Sequence, residues 1–144
     1  MKAYVDTSVL VSLYIPDANS PKADAWRQAN SAAIDFTGFH RIELRNALSL
    51  AVFQQRLTSA EAQAAWQDVE QDLVTGLLVL APESWAKVTS EAERLAELHT
   101  PTIGCRSLDI LHVAAALVSG ATGFCSFDGR QRKLAEIVGL QVQP

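Results

Sequence analysis

The sequence predicts an α/β protein with a three-layer α/β/α sandwich, in which helices cover both faces of a parallel sheet. Two observations predict this class. The short strand-like segments are apolar throughout, as strands buried on both faces are. Longer segments with helical periodicity separate them, which favours parallel pairing. The 144 residues, 49% of them hydrophobic and 19% charged, fit one globular domain over residues 1–144.

Elements alternate regularly in the first half of the chain. A proline at position 16 stops the first helix. Ser20 as cap and Pro21 at the first helical position start the second helix, which carries Trp26 on its apolar side. The predicted order is strand 2–5, helix 7–14, a helix from 20 onward, strand 32–36 and helix 39–55.

The second half continues the alternation, and capping residues, a proline and a glycine mark the ends of its helices. Thr58 and Glu61 form a capping box that opens a helix. A loop that contains Pro101 and Gly104 is expected to separate two later helices, and Asp128 starts a capping-box variant, Asp-x-x-Gln. The predicted order is a helix from the 58–61 box, strand 77–80, helices 84–98 and 107–119, strand 122–126, helix 128–139 and strand 140–142.

Charge and cysteine content limit the possible classes of protein. The net charge of -4 excludes a generally basic nucleic-acid coat but leaves room for a local basic groove. Cys105 and Cys125 form no disulfide framework and are expected to be reduced and buried. Asp6 interrupts any apolar signal-peptide core, and the uncharged stretch 110–127 contains turn residues. We therefore expect a cytoplasmic protein without a membrane span.

Four acids lie where a ligand would collect on such a fold. Asp6 directly follows the first strand and Asp128 follows the fourth, at the carboxyl edge of the sheet. Asp109 lies in the first turn of a helix and Glu43 in the first half of another. Singly, each aspartate could cap or begin a helix. Together, clustered carboxylates require a positive partner, and a hard divalent cation with a water that attacks a phosphodiester meets that need.

Four segments carry a family resemblance that extends from Val5 to Leu140. They are Val5-Asp6-Thr7-Ser8, Glu43-Leu44-x-Asn46-Ala47-Leu48, Arg106-Ser107-Leu108-Asp109-Ile110-Leu111-His112-Val113-Ala114 and Ser126-Phe127-Asp128-x-Arg130-Gln131. These segments resemble the successive signatures of PIN domains, and most closely those of the ribonuclease toxins of bacterial VapBC toxin–antitoxin pairs.

The resemblance implies a five-stranded parallel sheet of order 3-2-1-4-5 and an Mg²⁺- or Mn²⁺-dependent endoribonuclease. Asp6 and Asp109 would bind metal, Asp128 would bind or orient a second metal or a water, and Glu43 would polarise the attacking water or hold its metal. Three further residues are candidates for substrate contact: Ser126, where the family commonly has Thr, Asn46, one turn after Glu43, and Arg130, a phosphate ligand at the rim.

Partners also follow from the resemblance: RNA as substrate, a VapB-type antitoxin and a second copy of the chain in a homodimer. Two other functions compete. A phosphoacceptor receiver domain needs an Asp after the third strand and a Lys after the last one, and this sequence has neither. A catalytically silent binding and dimerisation module would keep the fold with vestigial acids. His112 is expected to be a packed core histidine.

Overall fold

The computed structural model of the chain describes residues 2–82 and 84–144. Short strands of three residues alternate with helices in the predicted order. The elements are β1 (Ala3–Val5), α1 (Thr7–Tyr14), α2 (Ser20–Ala29), β2 (Ile34–Phe36), α3 (Gly38–Phe53), α4 (Ser59–Thr75), β3 (Leu78–Leu80), α5 (Trp85–Ile103), α6 (Ser107–Val118), β4 (Gly123–Cys125), α7 (Gly129–Ile137) and β5 (Gln141–Gln143).

All strand pairs are parallel, which confirms the predicted α/β class. One sheet has the order β1-β4-β5 and a second pairs β2 with β3. These neighbours agree with the order 3-2-1-4-5. Among the described residues, however, the strands form two sheets of three and two strands, so the single five-stranded sheet remains a prediction.

The chain divides into two compact units. The first unit comprises Met1–Asp6 and Pro82–Pro144, and its sheet β1-β4-β5 is accompanied by α5, α6 and α7. The second unit is Thr7–Ala81, in which α1 to α4 accompany the pair β2-β3. The expectation of one domain over residues 1–144 therefore remains untested.

Buried apolar side chains explain why the strands form where they do. Tyr4 and Val5 of β1 and Phe124 of β4 are fully buried, and the rings of Tyr4 and Phe124 stack 5.8 Å apart. In the second unit, Phe36 and Leu44 are equally buried. The burial of β1, β2 and β4 agrees with the prediction from their apolar sequences, whereas Val79 and Leu80 of β3 are 42% and 68% exposed.

Two predicted helix boundaries were wrong. Ser20 is already inside α2, whose N-cap is Asn19, because the Ser20 hydroxyl donates to the Ser12 carbonyl instead of capping. Helix α5 continues through Pro101 to Ile103. Its end is set by Gly104, which adopts a left-handed φ of 71° that other residues rarely adopt.

The capping predictions at two other helices hold. Thr58 and Glu61 form both halves of a capping box at α4, and Asp128 caps α7 by accepting from Gln131 N. At α3 the box uses an unexpected residue. Thr37 caps the helix and the fully buried His40 takes the position usually held by Glu or Gln.

The structure also bears on the expectations for the two cysteines and for membrane-spanning helices. Cys105 and Cys125 are free and buried, as predicted. Burial also raises the pKa of the Cys125 thiol to about 12. Across residues 2–82 and 84–144, no helix combines the length and apolar character that crossing a bilayer requires.

Candidate active site

Asp6 lies at the end of β1, where its backbone N–H donates to the Cys125 carbonyl and extends the ladder between β1 and β4 by one step. The chain turns into α1 immediately afterwards. This arrangement leaves Asp6 only 6% exposed. A carboxylate this deeply buried needs hydrogen-bond donors or a cation to offset its desolvation.

Gln131 is the residue that connects the three aspartates of the first unit. Its side-chain Nε2 donates to Asp6 Oδ1 at 3.1 Å and to the Asp109 carbonyl at 3.2 Å. Its backbone N–H donates to Asp128 Oδ1 at 2.8 Å. Gln131 is fully buried, so these bonds are shielded from water. Gln131 thus contacts the carboxylates of Asp6 and Asp128 and the backbone of Asp109, and the convergence of the three carboxylates in one site stays a prediction.

Ser126 fixes the orientation of that glutamine. Its hydroxyl donates to Gln131 Oε1 at 2.6 Å and accepts from the Asp128 N–H at 3.0 Å. The side chain is fully buried. In this structure Ser126 therefore holds the loop between β4 and α7, and its predicted contact with substrate remains a prediction.

The imidazole of His112 also lies close to Asp6. Its Nε2 is 3.7 Å from Asp6 Oδ1, which exceeds hydrogen-bond length, and its Nδ1 is 2.8 Å from the Tyr4 hydroxyl. The ring is buried, as expected of a packed core histidine. Its contact with a candidate site residue was not anticipated.

Asp109 lies in the first turn of α6 and is half-buried, whereas Asp128 is exposed as the N-cap of α7. Both carboxylates are near Cys105. Burial raises the pKa of the Cys105 thiol, and the negative charges of Asp109 and Asp128 raise it further. The two aspartates therefore place negative charge in the same part of the first unit.

Glu43 belongs to the second unit, half-buried on α3. Its Oε1 accepts from Thr7 Oγ1 at 2.9 Å. Thr7 is the first residue of α1 and follows Asp6 in the chain. Asn46, one turn after Glu43, is exposed and lines a groove with Arg41, Arg45 and other residues of α3 and α4.

The arginines at the start of α7 have different roles. Arg130 is exposed, so it is available to solvent. Arg132 is half-buried, and its Nη1 donates to the Ser126 carbonyl at 2.7 Å and to the Gln143 carbonyl at 3.3 Å. Arg132 therefore ties the end of β4 to β5, and the predicted phosphate contact of Arg130 stays a prediction.

The side chains that could bind a metal ion in the first unit are carboxylates. Within residues 2–82 and 84–144, no group of three or more His, Cys, Asp or Glu side chains is arranged to hold an ion. Mg²⁺, however, is usually bound through only one or two carboxylates and keeps several waters. Asp6 and Asp109 offer hard oxygen ligands of that kind, so these residues fit a hydrated divalent cation.

Comparison with known proteins gives the family and the fold. The PIN domain profile matches residues 3–137. VapC20 of Mycobacterium tuberculosis, a toxin that cleaves the sarcin–ricin loop, is 17% identical, with a TM-score of 0.70 and coverage of 99% of both chains. FitAcB from Neisseria gonorrhoeae is also 17% identical, with a TM-score of 0.71 and coverage of 99% of this chain and 96% of that one.

No curated protein matches the sequence. At 17% identity, the two solved structures establish a shared fold. The match of the family profile covers nearly the whole chain. This chain belongs to the PIN domain family.

Proposed function

We propose that the chain is an Mg²⁺- or Mn²⁺-dependent endoribonuclease that hydrolyses phosphodiester bonds. One observation carries the proposal: the buried Gln131 hydrogen-bonds to Asp6, Asp109 and Asp128. The bond to Asp128 also caps α7, but the buried carboxylate of Asp6 costs folding free energy unless a donor or a cation offsets its desolvation. A site that takes up a cation and a phosphate accounts for that cost.

The aspartates would share the work according to their burial. Asp6 and Asp109 would hold the cation, and Asp128 would bind or orient a second one or a water. When bound, the cation neutralises the acids, lowers the pKa of a nearby water and stabilises charge on the leaving oxygen. Glu43 is assigned to the attacking water on the family resemblance. Thr7 positions the Glu43 carboxylate through their hydrogen bond.

Substrate contacts are proposed for residues at the surface and in the loop after β4. Arg130 is exposed and can pair with a phosphate in bidentate geometry. Asn46 is exposed one turn beyond Glu43 and can donate to substrate. Ser126 keeps the hydroxyl that the family commonly supplies with Thr. Its proposed effect on the substrate is indirect, because its hydroxyl bonds to Gln131 and to the Asp128 N–H.

We further propose that the chain is the toxin of a VapBC-type pair in the cytoplasm. The fold shared with VapC20, which is a toxin, supports this assignment. The cognate antitoxin would be a small VapB-type protein, and the toxin itself would form a homodimer. Expression of the chain alone should then arrest growth, and co-expression of the antitoxin should restore it.

The experiment compares RNA cleavage by the wild type, Asp6→Asn and Asp109→Asn, with Asp24→Asn as a control on the exposed face of α2. Each active-site change keeps the side-chain shape but removes a charge. We expect activity to fall about 100-fold or more in both, which is the scale of losing an essential acid–base or ligand group. EDTA should abolish wild-type cleavage. Unchanged cleavage by Asp6→Asn would refute the proposal.

One observation favours a second candidate function. Within the described residues no three potential ligands are arranged to hold an ion, as expected of a catalytically silent module that uses the fold for dimerisation and protein binding. Such a module would bind no Mn²⁺ and cleave no RNA. Calorimetric titration with Mn²⁺ separates the two, because only the nuclease would release or absorb heat.

A further inference from the structure

The second unit carries a groove in which two arginines contact one tryptophan. Its lining is provided by α3 and α4, and its volume is about 600 Å³. We refer to it as the α3–α4 groove, which is defined by Arg41, Ile42, Arg45, Asn46, Ser49 and Trp66.

Trp66 of α4 holds two guanidinium groups of α3 in place. Arg41 lies 5.0 Å and Arg45 4.7 Å from the centroid of its ring, both within the range of a cation–π contact. The arginines are one helical turn apart, so they reach the same ring from one face of α3. Ordering long side chains in this way reduces the entropy that a ligand must remove when it binds.

The two arginines differ in their charge balance. Arg41 donates to Glu70 at 2.6 Å. In the part of the chain that the structure describes, no carboxylate lies within ion-pair distance of Arg45. A chain with a net charge of -4 thus presents an oriented, unbalanced cation on an open surface. Such a cation attracts an anion.

The neighbouring side chains favour phosphate as that anion. Asn46 and Ser49 are exposed polar residues in the same groove. Arg, Asn and Ser are among the side chains that contact nucleic-acid phosphates and sugars. Guanidinium groups also match phosphate oxygens in bidentate geometry. Ile42 is 72% exposed and can cover the face of a base.

The position of the groove on α3 connects it to the proposed cleavage chemistry. Glu43 lies on the same helix, two residues from both Arg41 and Arg45, and therefore points away from them. An α-helix is about 10–12 Å across with its side chains. An RNA strand that reaches Glu43 need cross only this one helix to enter the groove.

We propose that the α3–α4 groove binds the phosphate backbone of single-stranded RNA outside the bond that is cleaved. This inference rests on the proposed function, since RNA is the polyanion that α3 would meet. Its role is to hold substrate without reading a sequence. Affinity should therefore depend on salt and on Arg45, and it should not require a divalent cation.

The test measures binding of a fluorescein-labelled single-stranded RNA by fluorescence anisotropy, in EDTA and over a series of NaCl concentrations. Arg45→Ala should lower the slope of log affinity against log salt by about 0.7, the value for one phosphate contact to a single strand. Glu70→Gln should strengthen binding, because it releases Arg41 from its ion pair. Arg94→Ala, a change at an exposed arginine of α5 paired with Glu91, should leave binding unchanged.

The opposite signs expected for Arg45→Ala and Glu70→Gln protect the test from misfolding, since a damaged fold would weaken binding in both. Binding by Arg45→Ala with the wild-type affinity and slope would overturn the proposal, as would an equal loss in Arg94→Ala. Poly-glutamate that binds more tightly than RNA with the same dependence on Arg45 would assign the groove to an acidic protein instead and would also overturn it.

A parallel cleavage assay in Mg²⁺ separates this inference from the proposed function. Cleavage by the wild type together with unaltered RNA binding by Arg45→Ala would overturn the proposed role of the groove but support the proposed nuclease activity. Arg45-dependent RNA binding without cleavage would support the proposed role of the groove and contradict the proposed nuclease activity. Absence of RNA binding by the wild type in EDTA would overturn the groove, whatever the cleavage assay gives.

Discussion

Gln131 Nε2 donates to Asp6 Oδ1 over 3.1 Å, although 125 positions separate the two residues in the chain. The bond joins the first turn of α7 to the end of β1. Because the parallel pairing of β1 with β4 brings these two ends together, the contact depends on the sheet and not on local sequence. It makes Gln131 the positioning residue for a buried carboxylate.

Gln131→Leu should therefore destabilise the protein strongly. The change keeps the approximate shape of the side chain but removes the donor to Asp6 Oδ1 and to the Asp109 carbonyl, together with the acceptor of Ser126 Oγ. A buried polar group that loses its partner costs about 1–3 kcal/mol, so a total loss of about 3 kcal/mol or more is expected in urea denaturation.

The matched control is Gln141→Leu, at an exposed side chain on β5. Surface substitutions of this kind usually change stability by less than about 0.5 kcal/mol. An equal, small effect of the two substitutions would show that the bonds of Gln131 contribute little to stability.

The sequence could predict the acids but not the residue that joins them. Asp6 and Asp128 were identifiable because each follows a strand, and parallel strands end at a common edge. Gln131 was assigned to a capping box, in which its side chain would bond back to the Asp128 N–H. In the structure Ser126 takes that N–H, which leaves the Gln131 side chain for Asp6. Ser126, two residues before Asp128, was the sequence feature that could have indicated this, because its hydroxyl is able to accept from the Asp128 N–H in place of Gln131.

The fold shows a similar division between what is local and what is not. Capping by Thr58 and Asp128 was predicted because both patterns lie within four residues. The end of α5 was not predicted, because a proline such as Pro101 usually stops a helix, whereas α5 continues to Ile103 and ends at the left-handed Gly104. The order β1-β4-β5 and the pairing of β2 with β3 join segments that are far apart in the sequence, which no short pattern encodes.

Thr7→Val should reduce RNA cleavage more than it reduces stability. The change removes the hydroxyl that donates to Glu43 Oε1 at 2.9 Å while keeping a side chain of nearly equal volume. A hydrogen bond to a charged group contributes about 1.5–3 kcal/mol, so cleavage should fall by about 10- to 150-fold. Initial rates on RNA measure the effect, and urea denaturation shows how much of it arises from unfolding.

Thr7→Ser is the control, because it keeps the hydroxyl and should retain most of the activity. Wild-type rates in both variants would mean that orienting Glu43 through Thr7 has no catalytic value.

Tyr14→Phe should alter how stability depends on pH. The Tyr14 hydroxyl donates to Asp72 Oδ2, and burial first, then this bond and the Asp72 charge, raise the pKa of the phenol. Above pH 10 the unfolded chain loses the phenolic proton, whose ordinary pKa is about 10, while the folded chain retains it. The unfolded state then binds fewer protons, so wild-type stability falls as pH rises.

Tyr14→Phe lacks that proton, so its stability should fall less between pH 9 and pH 11. We expect the difference from the wild type to shrink by about 1 kcal/mol over this range, after allowance for screening at a half-buried site. Chemical denaturation at fixed pH values measures it. Parallel stability curves for the two proteins would contradict the assigned pKa shift.

Mn²⁺ should stabilise the wild type against heat if Asp6 and Asp109 are ligands. The two ligands are 103 positions apart, so only the folded chain could hold one ion between them, and an ion that binds the folded state alone adds about 2.7 kcal/mol at 100 times its Kd. The Mn²⁺-induced shift in melting temperature should disappear in Asp6→Asn and Asp109→Asn and persist in Asp24→Asn, at an exposed residue of α2.

Asp6→Asn should by itself raise the melting temperature without metal, because it removes a buried charge that repels its neighbours. Since the measurement does not involve RNA, it distinguishes a metal site from a silent module independently of any substrate. An equal Mn²⁺ shift in all four proteins would mean that the ion binds elsewhere on the surface.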